Sequence, residues 1–375
     1  MARLTRAEQQ ERTRAAVLLA ARREFAEHGY ADAKVDRIAE RADLTRGAVY
    51  SNFTGKRALY LAVLTDAAEQ ARASAQPPEA SPGSVAAALG AFARVWLERL
   101  PLVGETPGKG HLRLRSLTGV LDTEEARTAL AELVRFEALL LALALEPRRA
   151  PRPRTVRLAG LAQTLLHGAA HLAESAPGAG DPFDLARAAE HLAGITLTDG
   201  ADPAHLPFVD PARPAADRWT PPRGLHDEIT GRPVDLGDDG VVVVLGVGRL
   251  SAAQEAVHSA RSGDAVTFAV VTGDPAETGR LARLRIADLV GCLRRVFAAD
   301  DLPWPRVVVD DGAEVPAALG LAAADDLTEA AVRVRDGLVV ARADGRRSGH
   351  AAARSGERRP SPAPAEQAGG GPAGR

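Results

Sequence analysis

A chain of 375 residues, 46% of them hydrophobic, with a formal net charge of -2, has room for two or three packed domains and is not, taken whole, a general polyanion binder. Its single cysteine, Cys292, excludes an intrachain disulfide and suits a reducing cytoplasm. The opening MARLTRAEQQERTRAA has no apolar signal core, and no run approaches the roughly 18 apolar residues of a membrane span, so a cytoplasmic, non-membrane protein is expected.

Charge is uneven along the chain. Residues 1–60 hold 12 Arg and Lys against 8 Asp and Glu, which leaves the remainder at -6. A basic first domain on an acidic body fits nucleic-acid binding confined to one end. The periodicity of Ala16, Leu19, Ala20, Phe25 and Ala26 predicts an amphipathic helix over 8–28, stopped by Gly29. A second helix is expected over Val35–Ala42, with Asp32 as an upstream cap, and a third over Thr45–Phe53, capped by Thr45. A fourth starts near Lys56 and runs through Leu59, Leu61, Val63 and Leu64 towards Ala73, and QPPEASPG at 76–83 ends it.

Further helices are expected at about 84–99, 111–119, 122–146, 153–175 and 181–197. Glu124-Glu125 supply favourable negative charge at a helix start, and Asp181-Pro182 is a cap followed by proline in the first turn. Residues 201–235, rich in Pro, Asp and Arg, read as a linker. Strands then appear at 241–245, 265–271 and 306–309, with helices at 250–261, 275–293 and 315–321 between and after them. A hairpin joins 330–334 to 338–341 around Asp336-Gly337. Residues 346–375 lack period and read as a disordered tail. The chain is therefore expected to be multidomain: an all-α DNA-binding unit at 1–75, a helical ligand-binding and dimerisation unit at 84–200, a linker at 201–235, a small α/β domain at 236–345, and the tail.

The stretch VDRIAERADLTRGAVYSNFTGK, 35–56, has the pattern of a helix-turn-helix. Val35, Ile38 and Ala39 are expected to pack on Phe25, with Val49, Tyr50 and Phe53 completing a small core, while Gly47 and Ala48 keep the third helix thin enough for a major groove. Thr45, Arg46, Ser51 and Asn52 are left facing outward. An ordinary three-helix packing unit remains the alternative. IAERADLTRGAVYSNFTGKRALY, together with Phe25, Gly29 and Tyr30, resembles the DNA-binding signature of the TetR family of bacterial repressors over about 60 residues. The resemblance implies Thr45, Tyr50 and Lys56 on phosphates and Arg46, Gly47, Ser51 and Asn52 nearest the bases of a double-stranded operator. Two positions depart from it. Asp43 stands where the family has Gly in the turn, and Ala33-Lys34 where a hydroxyl residue opens the second helix, so Lys34 is the candidate replacement for that phosphate contact.

The resemblance also implies a homodimer and a small-molecule effector site in the helical body. GLAQTLLHGAAHL and FDLARAAEHLAGITL, with Leu161, Leu165, Leu172, Leu185, Ala189 and Leu192, supply apolar faces for a four-helix interface. Phe92, Trp96, His111, Phe136 and His167 are candidate cavity liners, with plain core packing the alternative for each. His167 and His171 are four apart, but no third ligand accompanies them and no metal is expected.

The segment 236–345 resembles a thioredoxin-like domain of the peroxiredoxin type. Its chemistry is missing: Gly246-Val247-Gly248-Arg249-Leu250 stands where a reactive thiol follows the first strand, and Asp325-Asp326-Leu327-Thr328 where a proline precedes the hairpin. Gly246-x-Gly248 is also a partial nucleotide-binding fingerprint. The expected function is a transcriptional regulator, a repressor released by its effector, without enzymatic activity or cofactor. The alternatives are a redox enzyme or sensor acting through Cys292 and, third, an adaptor whose α/β domain recruits a protein partner.

Overall fold

The computed structural model describes residues 5–100, 116–117, 119–146, 155–176, 178–197 and 205–355; most of the helix expected over 111–119 lies outside them. Four helices open the chain: α1 (Arg6–Asp32), α2 (Val35–Arg41), α3 (Arg46–Tyr50) and α4 (Lys56–Ser74). Thr5 and Glu8 cap α1 reciprocally, which satisfies two N–H groups that the first turn leaves open. Gly29 does interrupt that helix, at φ 72, although one further turn follows it. Val17, Ala21, Phe25, Ile38, Val49 and Phe53 form the buried centre of this unit. The Tyr60 ring of α4 meets Phe25 edge-on at 4.9 Å and lies 5.1 Å from Tyr30, so α4 is locked to the first three helices by aromatic packing.

The helical body comprises α5 (Val85–Leu97), α6 (Glu124–Leu145), α7 (Val156–Ser175) and α8 (Pro182–Leu192). Side chains of Ser84, Thr123 and Asp181 each accept an N–H of the helix they precede. Helix α5 packs on α8, and α6 on α7.

The last unit is a six-stranded mixed sheet: β1 (Arg213–Arg218), β2 (Gly240–Gly246), β3 (Ala265–Val271), β4 (Arg306–Val309), β5 (Glu329–Arg335) and β6 (Leu338–Asp344), in spatial order β1-β6-β5-β2-β3-β4. Strands β2, β3 and β4 are parallel, and β5, β6 and β1 continue the sheet antiparallel. Helices α9 (Ala252–Ser259), α10 (Arg280–Val296), α11 (Glu314–Ala318) and α12 (Ser348–Arg354) complete it. Both faces are covered, which is why β2 reads as an unbroken apolar run: Val241, Val243 and Leu245 face one core, Val242 and Val244 the other. Asp336 and Gly337 both take positive φ, as a two-residue hairpin turn requires.

Three expectations of organisation give way. Residues 213–218 are not linker but an edge strand paired with β6, and Trp219 donates its indole N–H to Leu236 O at 2.7 Å. Ser348–Arg354, expected in the tail, is a helix buried on the sheet; Arg333 donates to Ala352 O at 3.0 Å and pairs with Asp264 at 2.8 Å. The α/β unit is not a separate bead either. One continuous apolar core runs from Phe25 through Leu61 and Leu139 to Phe268 and Ala352. Helix α10 lies along α4 in the most extensive helix contact among the described residues, and also touches α5 and α6.

Candidate functional site

The first candidate site is the surface built by α2, the turn and α3. Glu24, buried on α1, accepts the Lys34 backbone N–H at 3.1 Å and the Arg37 guanidinium at 2.7 Å, which fixes where α2 begins. Glu27 holds Arg41 through two hydrogen bonds of 2.9 and 2.5 Å at the other end of α2. These carboxylates, with His28, form the one cluster among the described residues close enough to share a cation, and arginines already occupy them. Asp43 adopts φ 55, the left-handed conformation that glycine would take in the turn. The turn closes with the Leu44 N–H on Ala39 O at 3.0 Å, and Thr45 Oγ1 accepts the Ala48 N–H at 3.2 Å.

Thr45, Arg46, Gly47, Tyr50 and Ser51 are exposed on this surface, and Lys34 is exposed at the start of α2. Tyr50, 41% exposed, does not complete the small core; its ring lies under the Arg46 guanidinium, 5.4 Å away, and Arg46 also pairs with Asp36 at 3.3 Å. A Cβ on Gly47 would meet nothing within 4 Å beyond Thr45 Oγ1, so this glycine is not required by packing inside the chain. Asn52 and Lys56 are half-buried. The Asn52 amide donates to Ala48 O at 2.9 Å; the Lys56 ammonium donates to Ala31 O at 2.9 Å and lies over Tyr30, and burial lowers its pKa.

The second candidate site is a cavity of about 480 Å³ between α5, α6, α7 and α10. Of the expected liners, Phe92, Trp96 and His167 stand in its wall. Phe136 does not: its ring packs edge-on against Phe268 of β3 at 5.9 Å, inside the core shared with the sheet. His111 lies outside the described residues. Sequence reasoning missed Gln163, Glu137 and Arg99, and with them Arg285, Asp288 and Leu289 of α10. Glu137 and Gln163 carried a readable signal, since each interrupts an apolar helix face.

Charges in this wall are matched. Arg285 grips Glu137 through two hydrogen bonds of 2.7 and 2.6 Å and donates to His167 Nε2 at 3.0 Å. Arg99 faces Asp288 at 3.2 Å and lies over Trp96. Burial, and then the neighbouring Arg285 and Arg99, push the His167 pKa down to about 3, so the imidazole is neutral and its Nε2 is the acceptor. A base whose folded pKa is depressed stabilises the fold fully above its unfolded pKa and loses that contribution as pH falls towards the folded one. Acidifying from pH 6.5 towards pH 4 is therefore expected to destabilise the native protein, at up to about 1.4 kcal/mol per pH unit from this group, more than it destabilises His167→Gln. Urea unfolding of both proteins across that range measures the difference, and parallel curves would reject the assignment.

At the end of β2, Gly246 and Gly248 serve backbone packing. The Gly246 N–H donates to Thr328 O at 2.7 Å and the Gly248 N–H to Asp326 O at 2.8 Å. A Cβ on Gly246 would stand 2.4 Å from Asp325 O, and one on Gly248 2.8 Å from Asp326 O, so the 325–328 loop fills the place a dinucleotide phosphate would need. Cys292 lies away from this strand end, buried on α10.

Residues 17–63 match the model of the family described as bacterial regulatory proteins, tetR family. Over 64 residues, 17% of this chain, the sequence is 48% identical to the HTH-type transcriptional regulator SrpR of Pseudomonas putida and 48% identical to the HTH-type transcriptional regulator TtgW, also of Pseudomonas putida. These matches span 30% and 47% of the two relatives, under half the length of each. The crystal structure of NalD, the secondary repressor of the MexAB-OprM multidrug efflux pump in Pseudomonas aeruginosa, aligns with 50% of this chain and 94% of its own, at 25% identity and a TM-score of 0.30. Residues 17–63, with the capped turn and the exposed face of α3, are a TetR-family N-terminal helix-turn-helix domain.

Proposed function

We propose that the whole chain is a transcriptional regulator that binds a near-palindromic operator as a homodimer and, as a repressor, is released by a small-molecule effector. The observation that carries this reading is the surface from Thr45 to Ser51, exposed and containing a glycine that internal packing does not demand. Phosphates are assigned to Thr45 and Tyr50, with Lys34 and Lys56 at the edges; Lys56 has donors left beyond the one on Ala31 O. Base edges are assigned to Arg46, Gly47, Ser51 and Asn52. On α7, Leu161 and Leu172 are exposed and, eleven residues apart, lie on one helix face; Phe183 at the start of α8 is 76% exposed. Such a stripe supports a twofold interface, which would set two reading helices about 34–36 Å apart.

No described helix is long and apolar enough to cross a membrane. We read the protein as cytoplasmic and without cofactor. A thioredoxin-like origin for the α/β unit is supported by β2-α9-β3 followed by β5-β6-α12, with β6-β5-β2-β3 adjacent in that order. The redox alternative is disfavoured because Cys292 is 3% exposed and lies on a helix rather than at the strand end.

Gly47→Leu tests the DNA reading with opposite signs. Replacing an exposed helical glycine should raise stability by about 0.5–1 kcal/mol. The added side chain should lower affinity for DNA, chosen by selection with the unaltered protein, more than tenfold. Titration of that duplex with both proteins, beside their melting curves, reads the two effects. Unchanged affinity in a folded variant would remove α3 from the groove.

A further inference from the structure

The wall that α10 gives the cavity is not supplied by the helical body. Arg285 and Asp288 border the cavity on one side and, on the other, a small cleft lined by Leu64, Ala67 and Ala68 of α4. Helix α4 begins five residues after the end of α3, and the α/β unit holds it along its length. Arg57, in its first turn, pairs with Glu277; Thr65 Oγ1 donates to Arg280 O at 3.1 Å; Arg72, in its last turn, pairs with Glu228. Whatever displaces Arg285 or Asp288 therefore presses on the helix that carries the reading surface.

The chemistry of the cavity narrows what could do so. Gln163 is 3% exposed, stands in the wall, and its Oε1 is buried without a hydrogen-bond partner among the described residues. An orphaned buried acceptor costs free energy that a donor would recover. The buried cations Arg285 and Arg99 already face Glu137 and Asp288, and His167 is neutral, so a charged ligand would bury a charge without a counterpart. Trp96 and Phe92 offer ring surfaces and Leu289 an aliphatic one.

We propose that this cavity takes an uncharged aromatic molecule with a hydrogen-bond donor directed at Gln163 Oε1, and that α10 of the α/β unit reports its presence to α4. The second clause rests on the effector-released regulator proposed above; the binding itself does not.

The test uses the full chain and three probes of one ring system: 2-naphthol, which can donate; 2-methoxynaphthalene, which only accepts; and 2-naphthoate, which is anionic. Calorimetry should show 2-naphthol binding about tenfold more tightly than either of the others, the scale of one hydrogen bond into a buried site. Gln163→Leu and Gln163→Met, which replace an unpaired amide by apolar groups of similar size, should remove its advantage over the methoxy compound. Equal affinities, a preference for the acceptor or the anion, or no binding would overturn the ligand class. Hydrogen exchange should then change within 56–74 when 2-naphthol binds, and Glu277→Gln should reduce that change in the first turns of α4. Binding with unchanged exchange there would overturn the transmission through α10. If 2-naphthol binds and alters α4 while affinity for the selected DNA stays constant, the effector-release reading fails and the ligand site stands.

Discussion

Replacing Arg285 with methionine is expected to destabilise the protein by about 3–5 kcal/mol, because it strands Glu137 as an uncompensated buried anion. The two side chains are 16% and 4% exposed, and both Glu137 oxygens are bound by this one guanidinium. Burial already raises the Glu137 pKa against the pull of Arg285. Without that pull the carboxyl would rise further and take up a proton in the folded state. A carboxyl whose folded pKa lies above its unfolded value weighs against the fold at high pH, and the penalty fades as pH falls to the folded pKa. The variant should thus lose more at pH 8 than at pH 5. Glu137→Met combined with Arg285→Met should recover most of the loss, since a packed apolar pair of similar volume avoids desolvating both charges. Denaturant unfolding of the two single variants and the double variant checks both statements. A loss below about 1 kcal/mol at pH 8 would mean that water reaches the pair and that it does not couple α10 to α6.

The local chemistry of the chain was readable in advance where one residue sets one conformation. Thr45, Thr123 and Asp181 cap helices as their positions suggested, and Asp336-Gly337 turns the hairpin. Asp43 occupies the left-handed site in the turn, where a short polar side chain substitutes for glycine. Elements with no core-facing pattern were not readable. Strand β1, RPAADR, is an edge strand exposed along most of its length, so it shows no apolar alternation. Helix α12, SGHAAAR, is buried through small residues that give no periodic stripe, and Gly349 packs against Val243 and Ala256. The cavity was half-readable. Phe92 and Trp96 lie within a helix whose own period points them inward, but Arg285 reaches Glu137 and His167 across 148 and 118 residues of sequence. Phe136 was misassigned for the same reason, because its partner Phe268 belongs to a strand that one-dimensional reasoning had put in another domain.

A chain ended after residue 200 is expected not to fold as a cooperative unit. Family resemblance alone would suggest that the helices suffice, with the α/β unit appended. The packing argues otherwise. Leu61, Leu64 and Ala68 of α4 belong to the same buried core as Leu281, Leu284 and Leu293 of α10, and Phe136 packs on Phe268. Removing the α/β unit would bare this face of α4 together with the inner face of α6. Exposing a large apolar side chain costs roughly 1.5–3 kcal/mol, so four or five of them amount to about 6–15 kcal/mol, as much as the whole stability of a typical domain. The fragment should show a broad thermal transition and bind a hydrophobic dye such as ANS, where the full chain melts sharply and does not. The point variant Leu284→Asp in the full chain makes the same demand at one position and should cost several kcal/mol through a buried unpaired charge. A monodisperse fragment with a sharp melt, together with a mild Leu284→Asp, would show that α10 rests on α4 without supporting it. The opposite result would make the α/β unit part of the support that sets the position of the reading helices, as the ion pairs at both ends of α4 already suggest.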